Sequence, residues 1–327
     1  MGGILSTSKK SAFGINSQGN STTSRPTLNN RIRYHPIPLL IGGLALAYCA
    51  GYITFIVTKI YRADSSNIII NPLVQADVSF RYNSIARTFD NTVDSNEYWL
   101  GITSLRKMLV KKAQGHVLEV SVGTGRNLTF YDWNFQGFNK LGRPNASDNI
   151  KKGKVKSFTA IDISPEMLKI ACKKLEAFIP DIIGVRWIQG DAAAPDTIPA
   201  PPKSMSGNGL DGSAKYDTIV QTMGLCSVKD PVRLLKNLGE HVMEEDGRIL
   251  LLEHGRGRWK WLNFMLDISA NDHAQAFGCW WNRDIQSLVK ESGLEIVQIM
   301  TPKWWHGGTT WWIELKKPSS KPTGSKS

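Results

Sequence analysis

The sequence predicts an α/β fold, a mainly parallel sheet with helices on both faces, preceded by a single transmembrane helix. Three observations carry the sheet. Val117 to Val122 is a short apolar run that ends in the glycine turn Gly123-Thr-Gly125 and leads into a helix-like segment. That is how nucleotide-binding sheets begin. Phe158-Thr-Ala-Ile-Asp162 reads as a second strand ending in an acid, and Val185-Arg-Trp-Ile-Gln-Gly-Asp191 as a third. A lone Gly-x-Gly is weak; ordered strand ends, two of them acidic, are stronger.

The loop narrows the cofactor. A dinucleotide loop needs a third small residue for close helix–strand packing, and Leu128 stands there. A phosphate loop needs Gly-Lys-Ser/Thr, and no such string follows Arg126. S-adenosylmethionine fits a turn that lacks both devices. It carries no phosphate, its carboxylate can face a helix N-terminus, and its ribose hydroxyls want an acceptor such as Asp162.

Here the chain resembles class I S-adenosylmethionine-dependent methyltransferases, over roughly residues 80–315. Glu119 to Gly125 is similar to their first motif, with Ser121 at the first glycine position and Asn127 at the last. Gly190-Asp-Ala192 looks like the adenine-contacting motif. Tyr216 to Val228 looks like the fourth strand with its active-site loop, and Asp246 to His254 like the fifth strand. The resemblance implies a Rossmann-like sheet and a cofactor site of Glu119, Ser121, Gly123, Gly125, Asp162, Ile163, Asp191, Ala192 and Met223.

A narrower likeness rests on Leu225-Cys-Ser-Val-Lys-Asp-Pro231, Leu252-Glu-His-Gly255 and Cys279-Trp-Trp-Asn-Arg-Asp284. These are similar to membrane-anchored methyltransferase-like thiol methyltransferases. They are also similar to a fungal mitochondrial inner-membrane methyltransferase-like family, named for suppressing an oxidase-assembly mutant. The segment Ile85-Ala-Arg-Thr-Phe-Asp90 is similar to the helix before the core in both groups. The N-terminus favours the fungal family. The implied function is methyl transfer by a protein anchored in the mitochondrial inner membrane. The acceptor is open: a thiol, a quinone-like small molecule, a protein or RNA. The alternative is a non-catalytic assembly factor on a degenerate methyltransferase fold, motivated by Ser121 and Asn127.

Composition bounds the rest. The 327 residues are 41% hydrophobic, enough for one α/β domain plus extensions. The net charge of +12 favours an anionic partner such as RNA or acidic lipid. The four cysteines lie far apart with no Cys-x-x-Cys, so reduced thiols are expected. None of the six histidines has metal-ligand spacing with an acid, so no metal site is expected.

Residues 1–35 are basic, rich in Ser and Thr and free of acids, which is the composition of a mitochondrial targeting segment. A basic tail is the plainer alternative. Met1-Gly2-Gly3-Ile4-Leu5-Ser6 also satisfies the myristoylation pattern. Within residues 36–61, the stretch Ile37 to Val57 has no charge and reaches roughly 30 Å as a helix, the thickness of a bilayer's hydrocarbon layer. Residues 71–115 read as a helical leader or lid. The catalytic domain covers residues 116–316, with insertions near 134–156 and 195–214, and residues 317–327 form a polar tail.

Methyl transfer from a sulfonium needs placement and exclusion of water more than acid or base. The expected rim is the C-terminal edge of strands four and five. Glu253 and His254 end strand five and are the catalytic candidates; imidazole titrates near neutrality and can act as base or orienter. Cys226 follows strand four, and nothing in the sequence activates it, so a small buried residue is expected. Trp280, Trp281 and the cluster Trp304, Trp305, Trp311 and Trp312 read mainly as packing.

Overall fold

The sheet grows from three short, buried runs with apolar centres, the pattern of strands covered on both faces. They are β1 (Gly115–Val120), β4 (Thr218–Thr222) and β5 (Arg248–His254). In the computed structural model, which describes residues 36–62, 75–133, 153–180, 182, 184–202 and 215–318, four more strands join them. These are β2 (Val155–Asp162), β3 (Val185–Gln189), β6 (Glu295–Met300) and β7 (Thr310–Lys316). The order is β3-β2-β1-β4-β5-β7-β6. The first five strands are parallel, and β7 runs antiparallel between β5 and β6.

Alternate residues of each strand feed two cores. Leu118, Ile161, Ile219 and Leu251 pack with Leu235 of α5 (Pro231–His241) and Leu288 of α7 (Ile285–Ser292). Val117, Phe158, Val220 and Leu250 pack with Leu109 of α3 (Ile102–Val110) and Ala171 of α4 (Pro165–Phe178). The expected helices on both faces are therefore present. Their starts are written in the sequence: Ser164, Asp230 and Asp284 cap α4, α5 and α7, each accepting a backbone N–H three residues on. Proline follows the first two caps, at the position where a helix tolerates it. The leader supplies α2 (Arg81–Trp99) and α3, and α6 (Lys260–Phe277) precedes α7.

The fold departs from expectation at several places. The segment after the glycine turn is a single 3-10 turn, Leu128–Phe130, because the chain must bend at once to bury Leu128 and Trp133. Val155 and Lys156, expected in an insertion, begin β2; residues 134–152 of that insertion lie outside the described residues. In the second insertion Ile198 is buried in the core, while residues 203–214 lie outside the described residues. So do residues 1–35, with the targeting and myristoylation patterns, 71–74 of the leader, and 319–327 of the tail.

The helix α1 (Pro36–Arg62) is described by itself. Leu40, Leu44, Leu46, Ile53 and Phe55 all stand exposed on it. Among the described residues no helix is long and apolar enough to cross a membrane.

Candidate active site

The strand order reverses between β1 and β4, where open sheets form a crevice at their C-terminal ends. Three residues beyond β1 are left-handed: Ser121 (φ 53°), Gly123 (φ 56°) and Gly125 (φ 77°). The two glycines serve different needs. A Cβ on Gly125 would collide with Leu128 and press Ala171 of α4 at 3.1 Å, whereas one on Gly123 would meet nothing within 4 Å. Gly123 thus leaves room in the cleft, and Gly125 lets the turn pack against α4. Ser121 holds its strained conformation while its Oγ accepts from Gln221 at 3.1 Å.

The acid at the end of β2 is tied to this turn. Asp162 accepts the backbone N–H of Gly123 at 2.8 Å and of Ser164 at 2.9 Å. Burial raises its carboxyl above the usual range, against the pull of those N–H groups. Past β3, Asp191 is exposed, its carboxylate accepting the N–H of Ala193 at 2.9 Å. Ser121, Gly123, Asp162, Ile163, Asp191, Ala192 and Met223 all line one cleft of about 930 Å³. Gly125 and Glu119 do not; they stand behind its wall. Glu119 is buried and accepts from Asn127 at 2.9 Å and from the Tyr131 hydroxyl at 2.8 Å, and burial raises its carboxyl to about 7. It braces the loop rather than facing a ligand.

The residues present fit S-adenosylmethionine. The cleft offers the space over Gly123, carboxylates at the ends of β2 and β3, and an exposed Ile163 as an apolar platform. Neither of its arginines is free for a phosphate: Arg126 is held by Asp90 at 3.0 Å, Asp94 at 2.6 Å and Glu97 at 2.9 Å, and Arg106 by Glu97 at 2.8 Å.

Those three acids belong to α2, so the leader is clasped onto the glycine loop. Thr124 and Lys174 also bond Asp90. Arg106 of α3 bonds Glu97, Asn127 and Thr222 at the end of β4. Burial pushes the Glu97 carboxyl up, but Arg106 and Arg126 outweigh it and hold it below the usual range. Sequence reasoning left these residues out. The available signal was Arg126 directly after the glycine turn and acids at positions 90, 94 and 97, one helix face.

Beyond Met223 lies a second chamber of about 1,650 Å³. Tyr82, Phe89, Arg106 and Met223 belong to both walls. His254 lines it, with Cys226, Cys279 and His273. Glu253 does not, which corrects its expected catalytic place. It is fully buried and accepts the N–H groups of Gly224 and Leu225, each at 3.1 Å, and burial raises its carboxyl to about 8. Its part is to hold the loop after β4, where Met223 is left-handed (φ 55°).

His254 Nε2 stands 2.8 Å from the Cys279 sulfur, so it is not a free base in this arrangement. Burial pulls its pKa down, but the neighbouring Cys226 raises it above the usual value. The Cys279 contact lowers Cys226 well below an ordinary thiol, while burial pushes Cys279 up. Cys226, expected as a small buried residue, and Cys279 thus meet the histidine expected as base or orienter. Of the tryptophans, Trp280 is buried and Trp281 stacks on His273 at 3.8 Å, whereas Trp304 and Trp305 are exposed.

The chain is similar to known methyltransferases. A methyltransferase domain family profile matches residues 100–299. The mitochondrial methyltransferase OMS1 of Saccharomyces cerevisiae is 33% identical over 259 residues, covering 79% of this chain and 50% of that protein. The chain thus spans about half the length of that curated relative. Among solved structures, the putative methyltransferase in complex with the Haloferax volcanii Trm112 activator is 12% identical, with 75% and 99% of the two chains covered and a TM-score of 0.47. The DhpI–SAH complex is 14% identical, with 76% and 98% covered and a TM-score of 0.45. The chain belongs to the methyltransferase domain family, on a Rossmann-like α/β sheet.

Proposed function

We propose that the protein methylates a small, largely apolar acceptor held in the second chamber, at the surface of a mitochondrial membrane. One observation carries the reading: the cofactor cleft and the chamber share the wall made by Tyr82, Phe89, Arg106 and Met223. S-adenosylmethionine, when bound, supplies an activated methyl group on a sulfonium. Asp162 and Asp191 would hold its sugar and base, Gly123 gives it room, and Ile163 and Ala192 form an apolar seat. Tyr82 and Phe89 close the cleft from α2, excluding water from the transfer. His254 and the two cysteines face the acceptor.

The mitochondrial relative, whose match covers 79% of this chain, supports the compartment, and two features support a membrane setting. The 27-residue α1 carries an uncharged apolar stretch, residues 37–57, and we propose it as a single-pass anchor. The chamber is lined by the half-exposed Trp305, beside His306, which bonds the carbonyl of Leu100 at 2.9 Å, and Trp304 and Trp99 on the same two segments stand exposed. Exposed tryptophan belongs at membrane–water interfaces.

The test is transfer from methyl-labelled S-adenosylmethionine, by full-length protein in vesicles, to a panel of small thiols and phenols. Label should move to at least one acceptor and not with Asp162→Ala. Label moving equally with the variant, or to no acceptor of either class, contradicts the reading.

A further inference from the structure

We propose that Cys226, His254 and Cys279 form a site for a thiophilic divalent ion of the zinc class, with one coordination position open to the second chamber. The three ligand atoms lie within 4.8 Å of one another. A tetrahedral zinc with bonds of about 2.3 Å to sulfur and 2.0–2.1 Å to nitrogen sets its ligands roughly 3.6–3.8 Å apart. The cluster already has that scale. His254 Nε2, now 2.8 Å from the Cys279 sulfur, would withdraw by less than about 1 Å, within a side-chain adjustment.

The fold holds the three ligands from three different segments. His254 ends β5. Cys226 sits in the loop that Glu253 holds by two backbone N–H groups. Cys279 follows the left-handed Gly278 that ends α6, and Trp280 N–H donates to the Cys226 carbonyl at 3.0 Å, tying the two cysteine segments together. His273 contacts the Cys279 carbonyl through Nδ1 at 2.8 Å. Such outer support fixes ligand orientation in metal sites.

The chemistry of the set is selective. Two sulfurs and an imidazole favour a borderline-soft ion over magnesium or calcium, which take oxygen. Two thiolates balance a divalent charge. Three protein ligands leave the fourth position free, the arrangement of an exchangeable rather than a closed site. All three residues line the chamber, so that position faces it. The use of the open position to hold an acceptor's soft or anionic atom rests on the proposed methyl transfer; the ion site itself does not.

Cobalt(II) is the probe. Full-length protein, reduced, stripped with chelator and desalted, is titrated with cobalt(II) and then zinc. One equivalent should give thiolate-to-cobalt charge-transfer and tetrahedral d–d absorption, and zinc should abolish both. Cys226→Ser and Cys279→Ser should each lose the charge-transfer intensity in part and bind cobalt at least tenfold more weakly; the double variant should lose it entirely. Cys49→Ser and Cys172→Ser should bind as the wild type. Circular dichroism and S-adenosylhomocysteine binding, followed on every variant, show that the domain is folded. The proposal is overturned if folded wild type gives no thiolate–cobalt band, if the double variant keeps it, or if Cys226 and Cys279 form a disulfide that reduction opens without cobalt then binding. S-adenosylhomocysteine binding that survives any of these results leaves the proposed methyl transfer standing, so the two ideas fail separately.

Discussion

Gly123 gives its backbone N–H to the Asp162 carboxylate at 2.8 Å, which makes the turn after β1 and the end of β2 one unit. Replacing Asp162 therefore removes a cofactor acceptor and loosens the glycine turn together. A hydrogen bond to a charged group contributes about 1.5–3 kcal/mol. Asp162→Ala should weaken S-adenosylmethionine binding by roughly 10- to 100-fold with little change in the far-ultraviolet circular dichroism.

Gly125 is set by packing instead. Any side chain there meets Leu128 and Ala171 and must also hold φ 77°. The strain and the overpacking each cost about 1–3 kcal/mol. Gly125→Ala should lower the thermal midpoint by roughly 4–24 °C, at about 2–4 °C per kcal/mol for a domain of this size. Ser121→Gly should raise the midpoint, because it relieves the left-handed backbone at φ 53°.

The α2 clasp can be opened at Arg126. Its guanidinium is mostly buried against Asp90, Asp94 and Glu97, and removing one partner of a buried pair costs about 3–5 kcal/mol, less where water reaches it. Arg126→Ala should raise hydrogen exchange in α2 ahead of the sheet. It should also weaken cofactor binding, since Tyr82 and Phe89 of α2 line the cleft.

Stability should fall as pH rises. Glu119 and Glu253 have folded-state carboxyls raised to about 7 and about 8 by burial. A raised carboxyl binds its proton more tightly in the folded state, so its contribution is full below the unfolded value near 4.5. It is lost as pH climbs through the folded value. The thermal midpoint should decline between about pH 5 and 8.5. Glu119→Gln keeps an acceptor for Asn127 and cannot ionise, so its decline should be shallower; an unchanged slope would remove Glu119 from the account.

Much of the frame was legible in the sequence because strand ends carry their chemistry locally. The run Val117 to Gly125, Asp162 and Asp191 each announce a position at the same sheet edge. What was not legible depends on contacts across the chain. Arg126 meets acids some thirty residues before it. Cys226, His254 and Cys279 come from one strand end and two loops with no motif spacing and converge only once β4, β5 and α6 are in place. Glu119 and Glu253 were misplaced for a related reason. They follow the family pattern by sequence, yet their carboxylates turn inward to satisfy Asn127, Tyr131 and the backbone of Gly224 and Leu225.

The most direct measurement is calorimetric titration of S-adenosylmethionine into full-length protein beside Asp162→Ala and Arg126→Ala. The account predicts one saturable site in the wild type, a loss of at least tenfold in Asp162→Ala, and an intermediate loss in Arg126→Ala. Absence of binding to folded wild type, or equal binding by Asp162→Ala, would contradict it.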